Sequence, residues 1–107
     1  METAPPPPPM DVDIPDEIAA AVFRRLVAHL RHRHDAENID LMILAGFCRN
    51  CLAEWVQEAG GAPDKESARK LIYGMDFAEW KARYQGEASE EQLARMKESM
   101  AKNAQPH

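Results

Sequence analysis

The residues whose type and spacing could support chemistry are the two cysteines of Cys48-Arg49-Asn50-Cys51. In redox proteins that use such a pair, the first cysteine lies at a helix N-terminus, where the helix dipole and free N–H groups lower the thiol pKa. The apolar periodicity predicts one continuous helix over residues 39–59, with the pair about nine residues inside it, where the dipole effect has faded. Redox chemistry is therefore disfavoured unless this helix breaks at Gly46, the one residue that could restart it.

A metal site is the second interpretation of the cysteine pair. Residues at i and i+3 share a helix face with Cβ atoms about 5–6 Å apart, so both thiols could bind one zinc or other transition-metal ion. A structural zinc site needs four ligands, and the chain has no second CxxC and no HxxxH. If the first two helices form an antiparallel hairpin, His29 lies about 9 Å from the thiols along the helix axis, so further ligands must come from the C-terminal helices or a second subunit.

The interpretation that the pattern favours is that Cys48 and Cys51 are small buried side chains with no cofactor. They continue an apolar stripe that includes Leu44 and Leu52, and free cysteine is among the most buried residue types.

Two other groups of residues are candidates for a site. His29 lies on the apolar face of the first helix, and it could join Asn38 and Asp40 in a polar cluster at the turn, structural by default rather than catalytic. Arg49 and Asn50 point off the cysteine stripe. With Trp80, a residue type enriched at binding hot spots as well as in cores, they are predicted to form an interaction surface.

Composition limits the classes of protein to consider. The chain has 107 residues, 45% of them hydrophobic and 29% charged, with a formal net charge of -5. This length allows one domain, expected over residues 15–103, between a disordered proline-rich tail over 1–14 and a flexible tail over 104–107. The acidic balance makes nucleic-acid binding unlikely.

The expected compartment follows from the cysteines and the apolar runs. Two cysteines do not make a disulfide framework, the N-terminus does not have the pattern of a secretory signal, and the apolar stretch 41–47 is too short to span a membrane. We therefore expect a cytoplasmic protein with reduced thiols. The proline run 5–9 favours extended polyproline II.

The elements that must position these residues are all helical. Apolar spacings of three and four, and the absence of alternating β-branched runs, predict helices over 16–33, 39–59, 65–73, 77–84 and 90–102. The predicted N-caps are Asp35, Asp64, Asp76 with Glu79 in a capping box, and Ser89 with Gln92 in another. The expected fold is an all-α bundle in which a long antiparallel hairpin of the first two helices carries three shorter ones. The second helix, apolar nearly all round in its first half, should be the central buried one.

The strings GFCRNCL (46–52), YGM (73–75) and EWK (79–81) resemble a family of short, all-helical bacterial proteins known as domain of unknown function 1244. The resemblance covers about residues 17–96. It departs from the family pattern at Ile43, where a polar residue is common, and at Asp76-Phe77, where Pro-Tyr is usual. It implies an all-helical fold and supplies no activity.

The function expected from the sequence is a non-enzymatic interaction or regulatory module that acts as a homodimer. A folded part of 80 to 90 residues is near the size at which one core is only marginally sufficient. Burying the excess apolar surface of the second predicted helix between two copies would stabilise it, which is why a homodimer is expected. The alternative is a metal- or thiol-dependent protein that uses Cys48 and Cys51.

Overall fold

The computed structural model describes residues 12–104, which form six helices. These are α1 (Asp16–His32), α2 (Asn38–Ala45), α3 (Arg49–Glu58), α4 (Lys65–Tyr73), α5 (Phe77–Tyr84) and α6 (Glu90–Asn103). This part of the chain contains no strand, so the all-α prediction is confirmed. The predicted polyproline segment and most of both predicted tails lie outside the described residues. None of the helices between residues 12 and 104 has the length and apolar character that a membrane-spanning segment requires.

Most helix ends follow from local sequence. The Asp64 carboxylate accepts a hydrogen bond from the Ser67 backbone N–H at 2.7 Å, and Ser89 and Gln92 form the predicted reciprocal capping box. Asp76 occupies the predicted N-cap position of α5, but its side chain makes no capping hydrogen bond, so the capping box predicted with Glu79 is wrong. The N-cap predicted at Asp35 is also wrong. Instead Glu37 and Asp40 form the α2 capping box, while the carboxylate of Asp35 pairs with Arg33.

The continuous helix predicted over 39–59 is wrong, because it breaks at Gly46. The Gly46 N–H completes α2 by donating to the Met42 carbonyl at 2.9 Å, and the chain then takes a left-handed turn with a φ of 77°. Other L-residues adopt this conformation only with strain, so the helix ends at the glycine. Cys48 follows in extended conformation as the N-cap of α3.

The break replaces the predicted long hairpin with a different arrangement of helices. α3 packs on α4, α2 packs on α6, and both α1 and α5 contact α4. Neither α2 nor α6 contributes a fully buried residue, and the Leu44 side chain is 82% exposed, so the expectation that this segment is the central buried element is also wrong.

The core lies where α1, α3, α4 and α5 meet. Its buried residues are Val27, Leu30, Leu52, Ala53, Ala68, Ile72, Tyr73 and Trp80. The aromatic rings of Tyr73 and Trp80 meet edge to face with centroids 4.9 Å apart, a preferred geometry for aromatic pairs.

Side chains from neighbouring helices satisfy the free carbonyls at several helix C-termini. Arg31 of α1 donates to the Ile72 carbonyl in the last turn of α4 at 3.2 Å and also to the Leu71 carbonyl. Asn103 of α6 donates to the Gly46 carbonyl at 2.8 Å, just beyond the end of α2. The last four carbonyls of a helix have no hydrogen-bond donor within that helix. These contacts supply donors to some of them and at the same time join neighbouring helices.

Candidate functional site

The most constrained side chain of the cysteine motif is Arg49. It is only 1% exposed, although an arginine is rarely buried unless its charge is paired. Its guanidinium donates to the Arg33 carbonyl at 2.9 Å, to the Leu30 carbonyl at 3.2 Å and to the Asn38 side-chain oxygen at 3.0 Å. Leu30 and Arg33 lie at the C-terminal end of α1, where the helix dipole is negative, so Arg49 caps that helix.

No carboxylate is among the hydrogen-bond partners that the described residues offer to Arg49. Its positive charge lies over the Trp80 ring, 4.9 Å from the centroid, and its Nε atom has no partner among the described residues. Burial lowers the pKa of the Arg49 guanidinium. The charge is therefore held by carbonyl dipoles and an aromatic face, which fix its position.

Asn50 extends the same network through Tyr73. The Asn38 amide donates to the Tyr73 hydroxyl at 2.9 Å, and that hydroxyl donates to the Asn50 side-chain oxygen at 2.7 Å. Burial raises the pKa of Tyr73 to about 12, so the hydroxyl stays protonated at neutral pH and can donate. The two middle residues of the motif thus tie α3 to α1, α2 and α4.

Cys48 is the N-cap of α3, Cys51 lies in its first turn, and both are free thiols. Cys48 is buried and Cys51 is half-buried. Burial raises the pKa of the Cys51 thiol. The helix break at Gly46, the condition for considering redox chemistry, is therefore met by the fold.

The predicted interaction surface of Arg49, Asn50 and Trp80 requires correction. Arg49 and Trp80 are 1% and 2% exposed, and Asn50 is half-buried against Tyr73. The continuous helix assumed for residues 39–59 gave the wrong inward face. Once α3 starts at Arg49, that residue is three and four positions before the buried Leu52 and Ala53, on the same helix face.

The predicted polar cluster of His29, Asn38 and Asp40 is not brought together. Asn38 belongs to the Arg49–Tyr73 network, whereas Asp40 is exposed and accepts from the Glu37 backbone N–H at 2.9 Å. His29 is exposed on α1. Tyr73, which belongs to the YGM string but was not predicted to join this cluster, is the residue that contacts Asn38.

The second feature that could serve function is the outer face of α1. Ile18, Val22 and Leu26 recur every four residues and are all exposed, with Val22 at 58%. Ile14, just before the helix, is exposed as well. Single exposed apolar residues are ordinary, but a contiguous row of this kind marks an interaction surface. We call these four residues the α1 row.

A groove of about 410 Å³ lies beside α1. Apolar side chains from three helices line it, with Arg24 and Arg31 also in its wall. The apolar lining residues are Phe23, Val27, Ala28, Val56, Leu71 and Ile72. Phe23 and Leu71 are exposed, so apolar surface on α1 extends beyond the α1 row.

The described part of the chain offers few side chains that could bind a metal ion together. Between residues 12 and 104 no group of three or more histidine, cysteine, aspartate or glutamate side chains is placed to hold an ion. The hypothesis of a metal bound by Cys48 and Cys51 thus stays a prediction that requires ligands from elsewhere.

A family of known proteins matches most of the described residues. The sequence profile of the family described as "Protein of unknown function (DUF1244)" matches residues 36–98, which include the cysteine motif and the helices α2 to α5. No curated protein matches the chain.

Proposed function

The chain belongs to the DUF1244 family of proteins of unknown function, and from its own geometry we propose that it is a non-enzymatic interaction or regulatory module that acts as a homodimer through α1. The observation that carries this proposal is the exposed α1 row on a helix whose charges are segregated along its length. The cytoplasmic location expected from the sequence remains part of the proposal.

The apolar part of the argument rests on the length and exposure of the α1 row. Four branched apolar side chains follow one another over three turns, and each would lose contact with water against a second helix. If two α1 helices cross antiparallel at Val22, Ile18 of one copy is level with Leu26 of the other. The three helical members of the row, Ile18, Val22 and Leu26, are then complementary to themselves, as a two-fold interface requires.

The charges of α1 favour the antiparallel direction. Asp16 and Glu17 lie in its first turn, while Arg24 and Arg25 lie in its second half. In the arrangement centred on Val22, the acidic turn of one copy and the arginines of the other are offset along the helix axis by about one helical turn, roughly 5 Å. A parallel arrangement would instead bring like charges together, so complementarity selects one orientation.

Sedimentation equilibrium or light scattering across nanomolar to micromolar concentrations tests this proposal. Val22→Glu would place two carboxylates at the two-fold axis and is expected to weaken dimerisation at least a hundredfold. Leu44→Glu is the matched control, because Leu44 is an even more exposed apolar residue on α2. It should leave the dimer intact, and circular dichroism should show unchanged helicity in both variants.

Charge reversal tests the orientation. Replacing Asp16 and Glu17 with arginine should weaken the dimer, and adding Arg24→Glu and Arg25→Glu in the same chain should restore it. A wild-type chain that is monomeric at micromolar concentration contradicts the proposal. Dissociation by Leu44→Glu with no effect of Val22→Glu also contradicts it, because the interface would then lie on α2.

A further inference from the structure

The helix break at Gly46 places the two cysteines at the start of α3, where they have no part in the proposed dimer through α1. Cys48 is the N-cap of α3, with extended φ and ψ of -147° and -175°, and Cys51 lies in the first turn. The Cys51 backbone N–H donates to the Cys48 carbonyl at 3.0 Å, which closes the turn between the two residues. Because residues three positions apart on a helical turn share a face, both side chains lie on the same side of the first turn.

We propose that Cys48 and Cys51 form a reversible intramolecular disulfide, in which Cys51 reacts first with a low-molecular-weight disulfide and Cys48 completes the exchange. The order follows from exposure, since Cys51 is half-buried and reachable while Cys48 is only 7% exposed. This is the reverse of the usual order, in which the first cysteine of the pair attacks. The proposal is independent of dimerisation through α1.

The exchange balances with glutathione disulfide as the oxidant. The Cys51 sulfur, having lost its proton, attacks one sulfur of glutathione disulfide, so a mixed disulfide forms and one glutathione leaves as the thiolate. The Cys48 sulfur then attacks Cys51 Sγ, forming the Cys48–Cys51 bond and releasing the second glutathione. The pair gives up two electrons, and the two released thiolates take up the two protons.

The surroundings of the pair favour the disulfide over a thiolate. Burial raises the pKa of Cys51, so the reduced pair gains no stabilisation from ionising. Strongly oxidising pairs owe that property to a stabilised reduced form, so this pair is expected to be less oxidising than those. In a cytoplasmic protein, disulfides of this kind are typically transient and redox-sensing.

The test follows each thiol in reduced protein that has been treated with a chelator. Wild type, Cys48→Ser and Cys51→Ser are incubated with glutathione disulfide, quenched with acid, alkylated and analysed by mass spectrometry. Serine is a preferred N-cap residue, so Cys48→Ser should fold. It is expected to accumulate glutathione on Cys51, whereas wild type forms the internal disulfide, and Cys51→Ser should react at least tenfold more slowly than Cys48→Ser.

The same reactions in urea are the control for the folded geometry. There the two single variants should react at equal rates, and the internal disulfide should be at least tenfold less stable against reduced glutathione than in the folded chain. The proposal is overturned if Cys51→Ser reacts as fast as Cys48→Ser in the folded protein, or if folding leaves the disulfide equilibrium unchanged. Stoichiometric zinc that leaves with the chelator and is lost in both variants would overturn it in favour of a metal site.

Discussion

Replacing Arg49 with methionine should destabilise the protein by about 3–4 kcal/mol, although it exchanges a buried charge for an apolar side chain of similar length. Such exchanges are often neutral where two charges are removed together, because the desolvation cost of both disappears. Here the three acceptors are carbonyl and amide oxygens that stay behind, on Leu30, Arg33 and Asn38. Their unmet hydrogen bonds decide the sign of the effect.

The magnitude can be worked from the contacts. Each hydrogen bond from a charged donor contributes about 1.5–3 kcal/mol, so three give roughly 5–9 kcal/mol in total. Burying the guanidinium costs several kcal/mol in desolvation, which offsets about half of that sum. Arg49→Lys should also lose about 2 kcal/mol or more, because a single ammonium group cannot reproduce the planar fork that reaches three oxygens.

Urea unfolding followed by circular dichroism measures both losses. The fluorescence of Trp80, in a Trp55→Phe background, reports on the environment of the guanidinium, since Trp55 is exposed and Trp80 lies under Arg49. A methionine variant within about 1 kcal/mol of wild type would refute the reasoning, because the three oxygens would then have found other partners. A lysine variant as stable as wild type would show that charge, rather than fork geometry, holds the end of α1.

Two further predictions concern Tyr73 and the glycine break. The pKa of Tyr73 is raised to about 12 by burial, so folding favours its protonated form; stability should be constant below pH 10 and fall by about 2–3 kcal/mol as pH rises from 10 to 12. Urea unfolding across this range should show a smaller fall for Tyr73→Phe, and an equal fall in both proteins would contradict the shift. Gly46→Ala should cost roughly 1–2 kcal/mol for its left-handed φ and about 1–3 kcal/mol more because the added Cβ overlaps the Asn103 side chain. Gly60→Ala is the matched control, with a similar positive φ and open space around it, so equal losses in thermal unfolding would rule out a close contact with α6.

The features that could be predicted from the sequence are the helix ends that residues within one turn determine. The cap at Asp64 and the capping box of Ser89 with Gln92 depend on residues within one turn, and both form as expected. The break at Gly46 was not predictable in the same way, because the apolar stripe continues through it. There α2 ends by a local left-handed turn, and Asn103 of α6 binds its carbonyl from 57 positions along the chain. The capping box predicted at Asp76 fails although its residues are suitable, which shows that a capping pattern does not guarantee the hydrogen bonds.

The error at Gly46 explains the main errors at the candidate site. In a helix that runs through residues 39–59, Arg49 points away from the core and the cysteines lie far from the N-terminus of the helix. A helix that begins at Arg49 turns the same side chain inward beside Leu52 and places Cys48 at the N-cap. The non-helical segment from Gly46 to Cys48 thus decides whether the motif presents an interaction surface or a buried support with two thiols at its start.

The structural roles of the residues from Gly46 to Leu52 limit which of them can take part in a chemical reaction. Gly46 makes the turn, Arg49 caps α1, Asn50 holds Tyr73, and Leu52 fills the core. The polar side chains of Arg49 and Asn50 are thus occupied by hydrogen bonds that hold the fold together, so they are not free to bind or activate a substrate. Cys51 differs because it is half-buried and its thiol makes no hydrogen bond that holds another helix in the described part of the chain. A chemical role for this motif therefore depends on the thiols, and the other positions are better understood as the scaffold that holds those thiols at the start of α3.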